Sequence, residues 1–228
     1  MGELDRPVVV DFPLRGEWMA MATPAHRVPS HGTDELGQRF AFDLVMTDRR
    51  PGVHLHPAGT LRAYLIGGST RDCYGWGQPV HAVFEGKVLQ AVDGVAERAW
   101  LHVARELPLA VKNAVTFERT SDGVRRLLGN HVILRSDETF ALFAHLAPGT
   151  VAVREGETVS TGDVVGRVGH TGNSTVPHLH VQLMDSADLL QARGIPCAFA
   201  EYEAELQGRW VRVEGGIPRR RERIRSIL

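Results

Sequence analysis

The chain carries eleven histidines, and two of them, His178 and His180, have the spacing best suited to shared chemistry. In an extended strand, residues two apart point to the same side. Both imidazoles of Pro177-His178-Leu179-His180-Val181-Gln182 therefore face one way, and Leu179 faces the other, toward a core. Two adjacent imidazoles are unfavourable if both are charged. They suit a metal, or one ligand beside one acid/base group. The competing reading is a surface pair on a half-exposed strand, and the triplet alone divides the two evenly. His145, in Phe143-Ala144-His145-Leu146, ends a strand before the Pro148-Gly149 turn, a position that by itself is more often structural or exposed. Asp43 lies between Phe42 and Leu44 on a strand with one buried face. If buried, its carboxylate needs a partner; a metal would serve, and so would Arg39. His31 stands upstream in Ser30-His31-Gly32. A second His-x-His, His54 and His56, lies in a Pro/Gly-rich stretch and reads as solvated loop histidines.

The elements that must position these groups are mostly short strands punctuated by Gly, Pro, Asn and Asp. Arg39 to Val45 alternates Phe40, Phe42 and Leu44 against Arg39, Ala41 and Asp43. Pro79 to Val92 reads as two strands around a turn near Glu85-Gly86. His131 to Arg135 and Phe140 to Leu146 read as a hairpin across Ser136-Asp137-Glu138. Valines and glycines recur closely from Val151 to Val168, and Val176 to Met184 is a further strand. Ala96, Ala99, Trp100, Val103, Ala104 and Leu107 have helical spacing before Pro108, which predicts a short inserted helix. The Arg-rich end, Arg219 to Arg225, reads as a solvated or loosely packed tail. An internal echo links Gly77-Gln78-Pro79-Val80 and Gly86-Lys87-Val88 to Gly156-Glu157-Thr158-Val159 and Gly162-Asp163-Val164, as in a β-fold built from two related halves.

Bulk composition narrows the function classes. Lysine plus arginine total 26 against 27 acidic residues, which disfavours a nucleic-acid or membrane-surface partner. No apolar run is long enough to span a bilayer. Two cysteines, Cys73 and Cys197, make no disulfide framework and read as unpaired thiols. The stretch Met1 to Phe12 lacks the pattern of a secretory signal, leaving the compartment open. No His-Glu-x-x-His helix is present, so a glutamate base on such a helix is not available.

Taken in order, Gly77-Gln78-Pro79-Val80, Gly86-Lys87-Val88, Gly129-Asn130-His131-Val132, Phe143-Ala144-His145-Leu146, Val159 to Gly169 and the run from Gly169 to His180 resemble the lysostaphin/LytM zinc metalloendopeptidases, which act on peptidoglycan. The match covers Asp72 to Asp185 plus the strand at Asp43. The resemblance implies a mainly β fold, an antiparallel β-sheet groove made of a duplicated hybrid motif, here with a short inserted helix. It implies one metallopeptidase-like domain over 1–228, with a motif-bearing core at about 31–45 and 72–185, an insertion at about 94–128 and a C-terminal extension at about 190–228. It implies Zn2+ held by Asp43, His180 and an upstream histidine, with His145 and His178 as catalytic, non-ligand histidines. The family's His-x-x-x-Asp spacing fails here, because Arg39 stands four residues before Asp43. The upstream ligand is then His31, with His26 as second choice, and a loop from Gly32 to Gln38 must bring His31 back. The implied substrate is a peptide, in a stem or cross-link of peptidoglycan, and the implied location is the cell envelope.

The competing functional reading is a degenerate, non-catalytic binding or regulatory protein with the same groove. A phosphocarrier with paired histidines is supported only by that pairing. A biotinyl or lipoyl carrier is disfavoured, because the turn Ser160-Thr161-Gly162-Asp163 offers no lysine at its tip. His81 and His131 are expected in packing or surface roles, and Tyr74 and Trp76 at a core or rim.

Overall fold

The computed structural model describes residues 6–50, 52–58, 62 and 66–227. Its body is a twelve-stranded sheet. Across it run Val8–Val10, Cys197–Leu206, Arg223–Arg225, Glu17–Ala22, Phe42–Val45, Leu179–Met184, Thr139–Leu146, Asn130–Ser136, Gly86–Val92 and Thr158–Val159. Gly194–Ile195 pairs with Leu179–Met184, and Arg209–Gly216 with Cys197–Leu206. Every pairing is antiparallel except that of Val8–Val10 with Cys197–Leu206. The fold is therefore mainly β, as the alternating sequence predicts, and antiparallel, as the resemblance implies.

Period-two alternation assigns the two faces. Phe42, Leu44, Phe143, Leu179, Val181 and Leu183 pack into one apolar core. The opposite face carries Asp43, His180 and Gln182. Farther along it, Ile133, Leu142, Ala144 and Met184 meet Val124 and Leu128 of the helix Ser121–Leu128. The inserted segment thus covers part of the sheet face that holds the polar side chains.

The internal echo has a structural counterpart. Pro79–His81 of the first half pairs with Val164–Arg167 of the second, and Gly86–Val92 of the first pairs with Thr158–Val159 of the second. The halves interlock by exchanging partners. Pro79 to Val92 forms two strands around a turn, as expected, and each of the two pairs with the other half of the chain.

Three expectations are corrected. The inserted helix is Val103–Val115, not Ala96 to Leu107. The carbonyls of Arg98 and Ala99 are occupied by the Thr70 hydroxyl (2.6 Å) and amide (3.0 Å), and Trp100–Leu101 pairs with Gly68–Ser69, so the backbone before Val103 is committed elsewhere. Pro108 lies inside this helix, where it lacks one backbone donor. His56 is buried, with its Nδ1 accepting the Ala58 amide at 3.0 Å, so it is not a solvated loop histidine. The Arg-rich end is no loose tail: Arg223–Arg225 inserts between Cys197–Leu206 and Glu17–Ala22. Ile224 is fully buried there, Arg225 pairs with Glu203 at 2.5 Å, and its guanidinium lies over the Trp210 ring. Ile224→Ala should therefore destabilise the chain by about 2–5 kcal/mol, read by denaturant unfolding. A change below about 0.5 kcal/mol would show that this strand is not part of the cooperative core. Cys73 and Cys197 are both free, as expected, and both are buried.

Candidate metal and catalytic site

Asp43 is presented by alternation alone, since Phe42 and Leu44 on either side of it enter the core. Register then sets His180 directly opposite Asp43 on the neighbouring strand. Its Nδ1 lies 3.0 Å from Asp43 Oδ1. His178 Nε2 lies 3.5 Å from the same oxygen. His31 arrives by the loop that the glycines permit: Gly32 and Gly37 have φ of +76° and +72°. A Cβ at Gly37 would sit 2.9 Å from Gln182 Nε2, so only glycine lets this loop lie on the strand. His31 Nε2 reaches 3.0 Å from Asp43 Oδ2. His26 is exposed beside Arg220. The Arg39 guanidinium pairs with Asp34, and the groups gathered around Asp43 are the histidines.

His145 is turned toward this cleft by a backbone device. Asn130 pairs with Leu146 and Val132 with Phe143, so two residues, Ala144 and His145, oppose one on the partner strand. His145 has φ of +64°, an unfavourable region for a non-glycine residue costing about 1–2 kcal/mol. Such bulges re-aim a side chain. Strict alternation would have sent His145 into the core with Phe143. Instead its ring lies 4.7 Å from that of His178 and 5.8 Å from that of His180.

The hydrogen bonds fix the ring tautomers. Gln182 Nε2 donates to Leu36 O at 2.7 Å, so its Oε1 faces His180 Nε2 at 2.9 Å and must accept a proton from it. Ser30 donates to Gln38 O at 3.2 Å and accepts from His31 Nδ1 at 3.0 Å. The remaining nitrogens, His180 Nδ1 and His31 Nε2, then present lone pairs toward a carboxylate. His31 Nε2 is buried and, although 3.0 Å from Asp43 Oδ2, is outside hydrogen-bond geometry. Lone pairs facing carboxylate oxygens repel unless a cation lies between them. The three donor atoms sit within 4.8 Å of one another. Two imidazoles and one carboxylate, each imidazole oriented by its other nitrogen, fit a zinc ion with one position left open.

Electrostatics separates the two other histidines. In the metal-free chain burial would raise the Asp43 carboxyl, but the charges of His31 and His178, with a hydrogen bond from His178, hold it well below the usual range. Burial, reinforced by His178 and His180, pushes His145 well below the ordinary histidine value. Burial would lower His178 too, yet the Asp43 carboxylate outweighs it and raises the group. His145 Nδ1 donates to Thr171 O at 3.0 Å and His178 Nδ1 to Val176 O at 2.7 Å, leaving both Nε2 atoms for chemistry. The five residues line a cleft of about 280 Å³ together with Leu36, Ala114, Leu127 and Asn173. A hollow of about 630 Å³ beside His131 and Arg125 holds none of them.

A carboxylate held below its unfolded value of about 3.9 adds stability above that pH and loses it as pH falls through the lowered value. Melting of the metal-free chain between about pH 6 and pH 3 should show a fall that Asp43→Asn reduces. Parallel curves for the two proteins would contradict this arrangement of charges.

Behind His178 lies a polar chain whose residues had no assigned role in the sequence. His170 Nδ1 lies 2.9 Å from Ser174 Oγ, which is 3.1 Å from His178 Nδ1. Arg98 and Glu106 flank His170 from the other side. The only sequence signal was His170 within Gly169-His170-Thr171-Gly172-Asn173-Ser174, and nothing linked it to residues seventy positions earlier.

Residues 109–192 match the profile described as Peptidase family M23. That span includes His145, His178 and His180 and excludes His31 and Asp43. Among solved structures, the chain is similar to a zinc-containing peptidase from Vibrio cholerae at 19% identity, covering 54% of this chain and 27% of that one, with a TM-score of 0.35. It is similar to the catalytic domain of the antimicrobial peptidase lysostaphin from Staphylococcus simulans at 22% identity, covering 63% and 86%, with a TM-score of 0.34. It is also similar to the catalytic domain of the prophage-encoded M23 protein EnpA from Enterococcus faecalis at 18% identity, covering 68% and 86%, with a TM-score of 0.36. The chain thus spans little more than a quarter of the Vibrio cholerae protein.

Proposed function

We propose that the chain, whose residues 109–192 match the model of peptidase family M23, is a zinc-dependent endopeptidase acting on stem or cross-link peptides of peptidoglycan, at the cell envelope, with His31, Asp43 and His180 as its metal ligands. The observation carrying this reading is the convergence of the His31 Nε2, Asp43 and His180 Nδ1 donor atoms beside two further histidines. Zinc, when bound, polarises a scissile carbonyl and lowers the pKa of water at the site from about 15.7 toward roughly 7. His145, kept neutral by burial, takes the proton from the attacking water through Nε2. His178, held toward its charged form by Asp43, donates from Nε2 to the oxyanion that develops on the carbonyl. The bulge at His145 and the carbonyls of Thr171 and Val176 hold these rings in place before substrate arrives.

The test is incubation of the zinc-loaded chain with purified peptidoglycan and with synthetic stem and cross-link peptides, followed by mass spectrometry of released fragments. New amino and carboxyl termini that disappear on chelation are expected. Tight peptide binding with no cleavage would replace the enzyme by a groove-bearing binding protein. That reading is favoured by the absent His-x-x-x-Asp spacing and by the apolar side chains of the inserted segment, Ala114 and Leu127, that line the cleft.

A further inference from the structure

Arg98, Glu106, His170 and Ser174 form a connected set of polar groups reaching from the inserted segment to His178. Glu106, His170 and Ser174 are buried. Arg98 Nε donates to Glu106 at 2.8 Å, while its terminal nitrogens donate to Gly172 O at 3.2 Å and Ser174 O at 2.7 Å. Arg98 Nη2 also lies 3.3 Å from His170 Nε2. A guanidinium can only donate, so His170 Nε2 must present its lone pair, and the ring proton must sit on Nδ1. That proton goes to Ser174 Oγ. The Ser174 hydroxyl in turn donates to Val176 O at 2.6 Å, leaving its lone pairs for the Nδ1 protons of His170 and His178. Each bond direction follows from the one before it, and the series begins at Arg98.

We infer that Arg98, anchored by Glu106, is a positioning residue that sets the hydrogen-bond direction through His170 and Ser174 and so keeps the Nδ1 proton of His178 inward and its Nε2 toward the cleft. The alternative direction is available to the same atoms. Glu106 Oε2 is 3.7 Å from His170 Nε2. Without Arg98, His170 would turn its proton to Glu106, its Nδ1 would accept from Ser174, and the Ser174 hydroxyl would leave Val176. The Ser174 oxygen and Val176 O, 2.6 Å apart, would then face each other with no proton between them and repel, displacing the two acceptors that hold the His178 Nδ1 proton. Because Arg98 and Glu106 come from the inserted segment rather than the sheet, that segment reaches the catalytic machinery directly as well as lining the cleft.

The inference rests on the peptidase reading for its kinetic consequence but not for its geometry, and the experiment separates the two. Arg98→Met and Glu106→Gln are compared with wild type as zinc-loaded full chains. Glu106→Gln leaves Arg98 bonded to Gly172 and Ser174 and so keeps the fold if Arg98→Met does not. Long-range proton–nitrogen spectra of the histidine rings should show His170 as the Nδ1–H tautomer and His178 with its Nδ1 protonated in wild type. Arg98→Met should move His170 to the Nε2–H form, and both variants should broaden or divide the His178 signals. Peptide hydrolysis should fall roughly ten-fold or more in kcat, with KM within about two-fold and zinc content unchanged. Wild-type tautomers in both variants would overturn the inference, whatever the kinetics. A wild type with these ring states but no hydrolysis would sink the peptidase reading and leave the positioning role standing.

Discussion

Asp43→Ala is expected to remove zinc binding and hydrolysis together. Asp43 is the only carboxylate among the three convergent donors, and it is held ionised by the histidines around it. Without it, two imidazoles remain with their lone pairs facing each other across the vacated space. Changes to residues that merely orient ligands cost roughly 10–100-fold in metal affinity, so loss of a ligand should cost at least about 100-fold. A competition titration against a chromophoric chelator measures this, with peptide hydrolysis followed in parallel. The fold should survive, because Phe42 and Leu44 supply the buried face of that strand. An Asp43→Ala chain that binds zinc as tightly as wild type would place the metal elsewhere.

His145→Asn and His178→Ala should each lower kcat by roughly 10²–10⁴-fold while zinc content stays at the wild-type level. Asparagine is chosen at position 145 because φ is +64° there, and asparagine tolerates that region far better than most residues. The bulge and the fold are then preserved while the imidazole is lost. The two variants should differ in the acid–base behaviour that remains. Burial keeps His145 neutral, the state a proton acceptor needs. Asp43 biases His178 toward the charged state, the one that steadies negative charge. A kcat within a few-fold of wild type for either variant would remove that residue from the chemistry.

The reach of the sequence can be traced residue by residue. The placement of Asp43 on the face opposite Phe42 and Leu44, and the common orientation of His178 and His180, follow from the period of a strand and were legible. The hairpin around Asp137 and the unpaired cysteines were legible for similarly local reasons. The approach of His31 rested on two glycines, and the structure shows why both are needed: positive φ at each, and close packing of Gly37 on Gln182. What local pattern could not carry was anything decided by long-range pairing. The strand exchange between the two halves separates Pro79–His81 from Gly86–Val92. Thr70 takes the carbonyls that would have begun a helix near Ala96. The arginine-rich end becomes an interior strand because Ile224 finds a core between two strands distant in sequence. The bulge at His145 and the Arg98–Glu106–His170 chain are invisible for the same reason, since each exists only once distant strands and the insertion meet.

The central claim is that His31, Asp43 and His180 hold one zinc ion although His31 stands twelve residues before Asp43 rather than four. Elemental analysis of purified wild type beside His31→Ala, His26→Ala and His180→Ala tests it most directly. About one zinc per chain is expected in wild type and in His26→Ala, with the metal lost from His31→Ala and His180→Ala. Absence of zinc from the wild type even after zinc is supplied, or its retention in His31→Ala, would contradict the account.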